Sequence, residues 1–91
     1  MQKVATVTGA ARGIGLATVK RFLSYGWRVA LLDIDEETLN RSAAVLGESD
    51  NILAISCDVA DAAGVSKAFA AVAQRFGRLD VLVNNAGIAV F

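Results

Sequence analysis

The fold of this chain is decided by one stretch near its amino terminus, Val4-Ala5-Thr6-Val7-Thr8-Gly9-Ala10-Ala11-Arg12-Gly13-Ile14-Gly15. An apolar, β-branched run leads into a glycine-rich turn, and a helical pattern follows at once. Gly9 suits a sharp exit from a buried strand, because glycine adopts left-handed backbone angles without steric cost. Gly13 and Gly15 lack a Cβ, so a phosphate can approach the backbone and the helix can pack close to its strand. The stretch is typical of the first crossover of a nucleotide-binding fold.

The spacing of these glycines is Gly-x3-Gly-x-Gly, which differs from the Gly-x-Gly-x-x-Gly fingerprint of the Rossmann fold. Three glycines within seven residues also fit a plain flexible turn. The preceding strand and the following helix favour phosphate binding, because the free N–H groups of a first helical turn and the helix dipole attract an anion.

The composition restricts the classes of protein to consider. The chain has 91 residues, a hydrophobic content of 55% and no net charge, which indicates one small domain without a basic face for nucleic acid. No apolar run approaches the roughly 18 residues of a membrane span, and no secretory signal is evident. A single Cys57 agrees with a cytoplasmic protein, and the absence of His removes the usual general base and the commonest metal ligand, so no metal site is expected.

Apolar runs predict four strands, at positions 4–8, 29–32, 52–56 and 79–83, with a helical pattern between each pair. A strand and a helix repeated three times and followed by a strand call for a parallel sheet with right-handed crossovers. We therefore expect an α/β fold, a doubly wound parallel sheet of Rossmann type. If the fourth strand returns beside the first, the strand order is 3-2-1-4.

The three predicted helices are each followed by a glycine. The second and third begin after the N-cap residues Asp35 and Asp61. The first is predicted over 14–25, and its buried face is expected to consist of Ile14, Ala17, Phe22 and Leu23. Glu37 and Arg41 are spaced for an i,i+4 ion pair on the exposed side of the second helix.

Residues with polar or small side chains follow all four predicted strands: Gly9, Asp33, Asp58 and Asn85. The carboxyl ends of parallel strands meet at one edge of a sheet, and ligands bind there at the switch point between the first and fourth strands. We therefore expect these residues to lie around a single crevice.

The chain resembles the short-chain dehydrogenase/reductase family at three places, Thr8-Gly9-x3-Gly13-Ile14-Gly15, Cys57-Asp58-Val59 and Asn84-Asn85-Ala86-Gly87. The resemblance covers the whole chain. It implies a Rossmann-type fold that binds NAD or NADP and transfers a hydride between the cofactor and a carbonyl or alcohol. Residues 1–91 would be the dinucleotide-binding portion of a single-domain dehydrogenase, and the sheet would be incomplete relative to the family fold.

The resemblance also implies a set of cofactor-binding residues. They are Gly9, Ala10, Ala11, Arg12, Gly13 and Ile14 in the phosphate loop, Gly15 directly after it, Asp33 and Ile34 after the second strand, Cys57, Asp58 and Val59 after the third, and Asn85, Ala86 and Gly87 after the fourth. Asp58 and Val59 would contact the adenine, and Asn85, Ala86 and Gly87 would lie along the adenosine ribose. Asn84 would tie strands together. Two alternatives stay open, since Asp58 could be a plain cap and the asparagine stretch merely a turn.

Asp33 decides the expected choice of cofactor. It lies 18 residues past Gly15, near the roughly 20 typical of an acidic ribose ligand. Its carboxylate can accept a hydrogen bond from the ribose 2′-OH and repels a 2′-phosphate, so we expect NAD, with NADP less favoured. Arg12 opposes this, because family members that take NADP often carry a basic residue in this loop. A flexible arginine can turn to solvent, however, which a carboxylate at a buried edge cannot easily do.

No catalytic residue is expected among the 91 residues. By resemblance the chemistry needs a Ser and a Tyr-x3-Lys, whereas Tyr25 is followed four positions later by Val29. We expect the chain to be the inactive cofactor half of a dehydrogenase that acts on a small carbonyl or alcohol. A stand-alone dinucleotide-binding module is the alternative. A methyltransferase-like protein is a weaker one, against which the asparagine stretch argues.

The fourth predicted strand ends the sheet as an open edge. An exposed apolar edge strand invites pairing with another chain. We therefore expect self-association, and a homo-oligomer for the intact protein.

Overall fold

The computed structural model describes residues 2–47 and 49–85. These residues form an alternating series of strands and helices: β1 (Val4–Thr8), α1 (Gly13–Ser24), β2 (Arg28–Asp33), α2 (Glu36–Leu46), β3 (Ile52–Ser56), α3 (Ala62–Phe76) and β4 (Val81–Val83). All neighbouring strands pair in parallel, in the order β3-β2-β1-β4. The predicted α/β fold and the predicted strand order are confirmed, and the sheet is a partial one.

β1 lies in the middle of the sheet, between β2 and β4, and all of its residues are buried. Such complete burial is typical of a parallel strand with helices on both faces of the sheet. Thr6 illustrates the position, since it pairs with Ala30 of β2 on one side and with Leu82 of β4 on the other. The turn that follows β1 therefore starts from the most constrained strand of the sheet.

The sheet separates two apolar clusters, and alternate residues of β2 point to opposite faces. Val29 and Leu31 belong to the cluster under α1 and α2, which also contains Leu39 of α2. Ala30 and Leu32 belong to the cluster under α3. Helices on both faces are what the doubly wound arrangement requires.

The face that α1 turns to the sheet differs in part from the expected one: Phe22 and Leu23 pack against the cluster under α1 and α2 as expected, but Ile14 and Ala17 do not. Gly15 and Val19 are buried, whereas Ile14 is 78% exposed and Ala17 is exposed as well. The reason is the close approach of α1 to the turn at Gly15, which fixes the rotation of the helix. Ile14 and Ala17 instead line a shallow groove of about 450 Å³ along the outside of α1, together with Thr18, Arg21, Phe22 and Tyr25.

The predicted helix starts are confirmed in α2 and α3. Asp35 Oδ1 accepts a hydrogen bond of 3.1 Å from Thr38 N, and Asp61 Oδ1 accepts one of 3.2 Å from Ala63 N. The predicted i,i+4 ion pair also forms, with Arg41 Nη2 lying 2.8 Å from Glu37 Oε1. Local capping rules thus locate these helices correctly.

β4 begins at Val81, not at position 79 as the apolar run suggested. Asp80 takes over the pairing with β1 at this point: its N–H donates to Val4 O (2.9 Å) and its Oδ2 accepts from Val4 N (2.8 Å). Arg78 holds the same carboxylate through Nε (2.8 Å) and Nη2 (2.6 Å). These hydrogen bonds from Arg78, and then the Val4 N–H, lower the pKa of Asp80. One backbone bond and one side-chain bond of Asp80 therefore connect it to Val4 before the strand begins at Val81.

Across residues 2–47 and 49–85, no helix is both long enough and apolar enough to cross a membrane. In the same ranges, no three His, Cys, Asp or Glu side chains are grouped so that they could hold a metal ion.

Candidate functional site

The carboxyl ends of β1, β2 and β4 meet at one edge of the sheet, and hydrogen bonds join them. Ala10 N donates to Leu32 O at 3.1 Å. On the other side, Asn85 N donates to Thr8 Oγ1 at 2.9 Å and Asn85 Nδ2 donates to Gly9 O at 3.3 Å. The turn after β1 is therefore held by β2 on one side and by the residues after β4 on the other.

Glycine is required at different positions of this turn for different structural reasons. Gly9 and Gly13 both have positive φ, of 63° and 59°, which other residues rarely adopt. A Cβ on Gly15 would overlap the carbonyl oxygen of Gly9 and lie 2.9 Å from Asn85 Nδ2. At Gly13, by contrast, a Cβ would meet no atom of the described residues within 4 Å. The backbone at the start of α1 thus faces open space.

The amino terminus of α1 carries no carboxylate, in contrast to the other two helices of the described chain. Arg12 precedes α1 with extended backbone, makes no side-chain capping bond, and no acidic residue lies in the first turn. α2 instead has the cap Asp35 and two glutamates in its first turn, and α3 has the cap Asp61. The positive end of the α1 dipole is therefore not neutralised by the helix itself, which suits an anion.

Asp33 lies beside this terminus and its carboxylate is fixed by two backbone N–H groups. Oδ2 accepts from Ala11 N at 3.0 Å, and Oδ1 accepts from Asp35 N at 2.9 Å. The side chain is half-buried between the turn and the start of α2. Since each carboxylate oxygen has two acceptor positions, both oxygens can accept a further hydrogen bond from a ligand.

Ala11 is held from two directions. Its N–H is bound by Asp33, and its carbonyl oxygen accepts a hydrogen bond of 2.5 Å from the hydroxyl of Ser42 in α2. Ser42 is a residue that the sequence patterns did not indicate. It lies 31 positions further along the chain, and no local motif connects it to the turn. It is a positioning residue for the backbone of the loop.

Arg12 is exposed to solvent and is also bound to the start of α2. Its Nη2 pairs with Asp35 Oδ2 and donates to Thr38 Oγ1 at 3.3 Å, although its side chain remains 66% exposed. The pKa of Asp35 is lowered, first by the backbone N–H of Thr38, then by the Thr38 hydroxyl, and further by Arg12. The turn after β1 is therefore attached through Arg12 to the amino terminus of α2.

The residues after β3 reach the same edge through the backbone. Cys57 N donates to Asp33 O at 2.9 Å, while the Cys57 side chain is buried in the cluster under α3. Burial first, and then the Asp58 and Asp61 carboxylates, raise the pKa of the Cys57 thiol. Asp58 is exposed and its Oδ1 accepts from Ala60 N at 2.9 Å, so it fixes the turn before α3 while Asp61 caps the helix.

Apolar side chains flank this edge at two places. Ile34, which follows β2, is 67% exposed, and Val59, which follows β3, is 39% exposed. Neither side chain belongs to the apolar clusters of the core. An exposed apolar side chain after each of two neighbouring strands provides contacts for a flat apolar group of a ligand.

The asparagines after β4 connect this strand to the end of β1 by hydrogen bonds. The Thr8 hydroxyl donates to Asn84 Oδ1 at 3.1 Å and accepts from the N–H of Asn85. The expected ligand residues Ala86 and Gly87 lie outside the described residues.

A larger groove of about 620 Å³ lies at the opposite edge of the sheet, between the end of α2 and β3, and its lining includes Asp50 and Arg75. None of the expected site residues that the structure describes lines that groove.

Residues 3–91 match the family model described as short chain dehydrogenase. The chain belongs to the short-chain dehydrogenase/reductase family. Among curated proteins, the 2-(R)-hydroxypropyl-CoM dehydrogenase of Xanthobacter autotrophicus is 50% identical over 90 residues, which cover 97% of this chain and 36% of that protein. This short-chain dehydrogenase chain thus spans about a third of the length of the curated relatives that it matches.

Solved structures of short-chain dehydrogenases share the fold. The 3-ketoacyl-(acyl-carrier-protein) reductase from Brucella melitensis, complexed with NADH, is 38% identical with a TM-score of 0.81, over 88% of this chain and 32% of that chain. A short chain dehydrogenase/reductase from Burkholderia phymatum, in complex with NAD, is 32% identical with a TM-score of 0.83, over 89% of this chain and 29% of that one. This chain therefore covers less than a third of either solved chain.

Proposed function

We propose that this chain is the NAD(H)-binding part of an oxidoreductase that transfers a hydride between a nicotinamide cofactor and a carbonyl or alcohol substrate. One observation carries the proposal: the uncapped amino terminus of α1 lies beside Asp33, whose carboxylate is bound to the N–H of Ala11. A pyrophosphate and a ribose diol need these two environments, a cluster of N–H donors and a fixed carboxylate, next to each other.

The residues present fit such a cofactor. The backbone of the phosphate loop would hold the pyrophosphate, because a Cβ at Gly13 would meet no described atom within 4 Å and the start of α1 is therefore accessible to a ligand. Asp33 would accept from the adenosine ribose, and Ile34 and Val59 would contact the adenine. Asp58 after β3 and Asn85 after β4, at the two ends of the strand order, also belong to the proposed set. When bound, the cofactor supplies the hydride acceptor or donor, and this chain binds and orients it.

Asp33 also supports NAD over NADP. A charge-assisted hydrogen bond from the 2′-OH to a carboxylate contributes about 1.5–3 kcal/mol. A 2′-phosphate about 4 Å from the same carboxylate would cost up to about 4 kcal/mol at an effective dielectric constant of 20. Both effects act in the same direction. The two solved relatives described above, which contain NADH and NAD, agree with this preference.

Competition binding tests the proposal. We expect the chain to bind NAD at least tenfold more tightly than NADP. The variant Asp33→Ala should lower the affinity for NAD and thereby reduce the ratio of the two affinities. The matched control is Asp50→Asn, because Asp50 is a fully exposed carboxylate at the opposite edge of the sheet. Tighter binding of NADP than of NAD by the unmodified chain would contradict the assignment of the cofactor.

The class of substrate and the oligomeric state are proposed for the whole protein, of which this chain is a part. We propose that the substrate of the whole protein is a small carbonyl or alcohol compound. We assign a catalytic role to no residue of this chain. The open edge at β4, where Leu82 is 46% exposed, supports self-association. Sedimentation velocity at several concentrations measures it, and a single monomeric species at every concentration would contradict it.

A further inference from the structure

Arg12 is the only charged residue of the phosphate loop, residues 9–14. Its guanidinium is bound by Asp35 and Thr38 at the start of α2. Ala11, its neighbour in the chain, donates to the carboxylate of Asp33. The one cation of the loop and the proposed ribose ligand are thus attached to the same turn, residues 33–38.

Asp35 has two functions at this turn, one for each oxygen. Oδ1 caps α2 by accepting from Thr38 N at 3.1 Å. Oδ2 accepts from the Thr38 hydroxyl at 2.8 Å and from Arg12. Its side chain is 39% exposed, so the pair with Arg12 lies at the surface of the proposed site rather than inside the core. The cap and the ion pair can therefore be separated by mutation.

We propose that Asp35 is a specificity-determining residue, which holds Arg12 and thereby withholds the only cation of the phosphate loop from the 2′-phosphate of NADP. This inference rests on the proposed function, since it concerns the adenosine end of the same dinucleotide site.

The charges at the turn explain the direction of the effect. Asp33 and Asp35 carry two negative charges and Arg12 carries one positive charge, so the group has a net charge of −1. Phosphate monoesters carry about −1.5 to −2 near neutral pH. For Arg12 to bind a 2′-phosphate, it would have to leave Asp35, and the phosphate would then face two carboxylates. The 2′-OH of NAD needs no such exchange, because it would use Asp33 alone.

The substitution Asp35→Asn separates the charge from the cap, because Asn and Asp are about equally good N-cap residues. We expect it to increase the affinity for NADP by about threefold to tenfold, because Arg12 is released from one partly exposed ion pair and becomes free to bind the 2′-phosphate. The affinity for NAD should change less than twofold. Asp35→Ser, which also retains a capping oxygen, should give the same direction of change. The gain should disappear in the double variant Asp35→Asn/Arg12→Gln.

The experiment compares adenosine 2′,5′-bisphosphate with 5′-AMP, together with NADP and NAD, by calorimetric titration of the unmodified chain and the four variants Asp35→Asn, Asp35→Ser, Arg12→Gln and the double variant. A gain confined to the 2′-phosphorylated ligands, and dependent on Arg12, supports the inference. An equal gain in the presence and absence of Arg12 overturns it, and so does the absence of a gain in both Asp35 variants while NAD still binds. An unmodified chain that binds neither NAD nor 5′-AMP overturns the proposed function as well, so the two failures are distinguishable.

Discussion

The carboxylate of Asp33 accepts a hydrogen bond of 3.0 Å from the backbone N–H of Ala11. One residue closes β2, and the other lies in the turn that follows β1. The bond joins the proposed ribose ligand to the loop that would hold the pyrophosphate. Changes on either side of it are therefore expected to affect cofactor binding.

Gly15→Ala should destabilise the protein and abolish NAD binding. The new Cβ would overlap the Gly9 carbonyl, and relief of an overpacked contact of this kind costs about 1–3 kcal/mol. Urea unfolding gives the change in stability, and titration with NAD gives the affinity. Gly64→Ala in α3 is the control, since its Cβ would meet only the side chain of Asp61, at 3.2 Å. Equal effects of the two substitutions would show that the approach of α1 to the turn is unimportant.

Ser42→Ala should weaken NAD binding through the backbone of Ala11. It removes the 2.5 Å hydrogen bond to the Ala11 carbonyl, a bond that contributes about 0.5–1.5 kcal/mol. We expect the affinity for NAD to fall by about twofold to tenfold. Ser24→Ala is the matched control, because the Ser24 hydroxyl bonds within its own helix, to Arg21 O at 2.6 Å. A loss of affinity in the control as large as in Ser42→Ala would exclude a positioning role.

Thr6→Val should stabilise the fold. The Thr6 hydroxyl is buried in β1 and, among the described residues, has no hydrogen-bond partner, so replacing it by a methyl group removes a desolvation penalty of about 1–3 kcal/mol. Thr8→Val is the control with the opposite sign, because the Thr8 hydroxyl bonds to Asn84 and Asn85. Denaturant midpoints measure both variants. A lower midpoint for Thr6→Val than for the unmodified chain would refute the prediction.

Stability should fall in acid partly through Asp80. Its pKa is lowered in the folded state from an ordinary value of 3.8, chiefly by the hydrogen bonds from Arg78. A lowered pKa means that the contribution is complete above 3.8 and is lost as the pH falls from there through the folded value. The midpoint difference between the unmodified chain and Asp80→Asn should therefore be constant from pH 7 to about 5 and shrink below that. A difference that grows in acid would contradict this assignment.

The sequence was sufficient for the sheet and for the local features of the site. The strand order follows from the regular alternation of elements, and the positions of Asp33 and Asn85 at one edge follow from parallel pairing. The cap at Asp35 follows from a short-range rule that involves only the next three residues. Such features depend on neighbours in the sequence or on the topology, and both can be inferred before side chains are placed.

Two contacts of the site that the sequence did not reveal are long-range. The bond from Ser42 to Ala11 and the ion pair of Arg12 with Asp35 depend on how α2 packs against the loop. The exposure of Ile14 depends on the rotation of α1, which the contact at Gly15 fixes. A hydrophobic pattern alone does not determine that rotation when both sides of a helix carry apolar residues.

Backbone amide chemical shifts, measured while NAD is added to the chain, test most directly whether the strand ends form one dinucleotide site. We expect the chemical shifts to change at residues 9–15, 33–35 and 57–59 and at Asn85, and to stay constant at Gln2, Gly26 and Gly77 on the opposite edge. Shifts confined to a single strand end, or centred on the opposite edge, would contradict a common site.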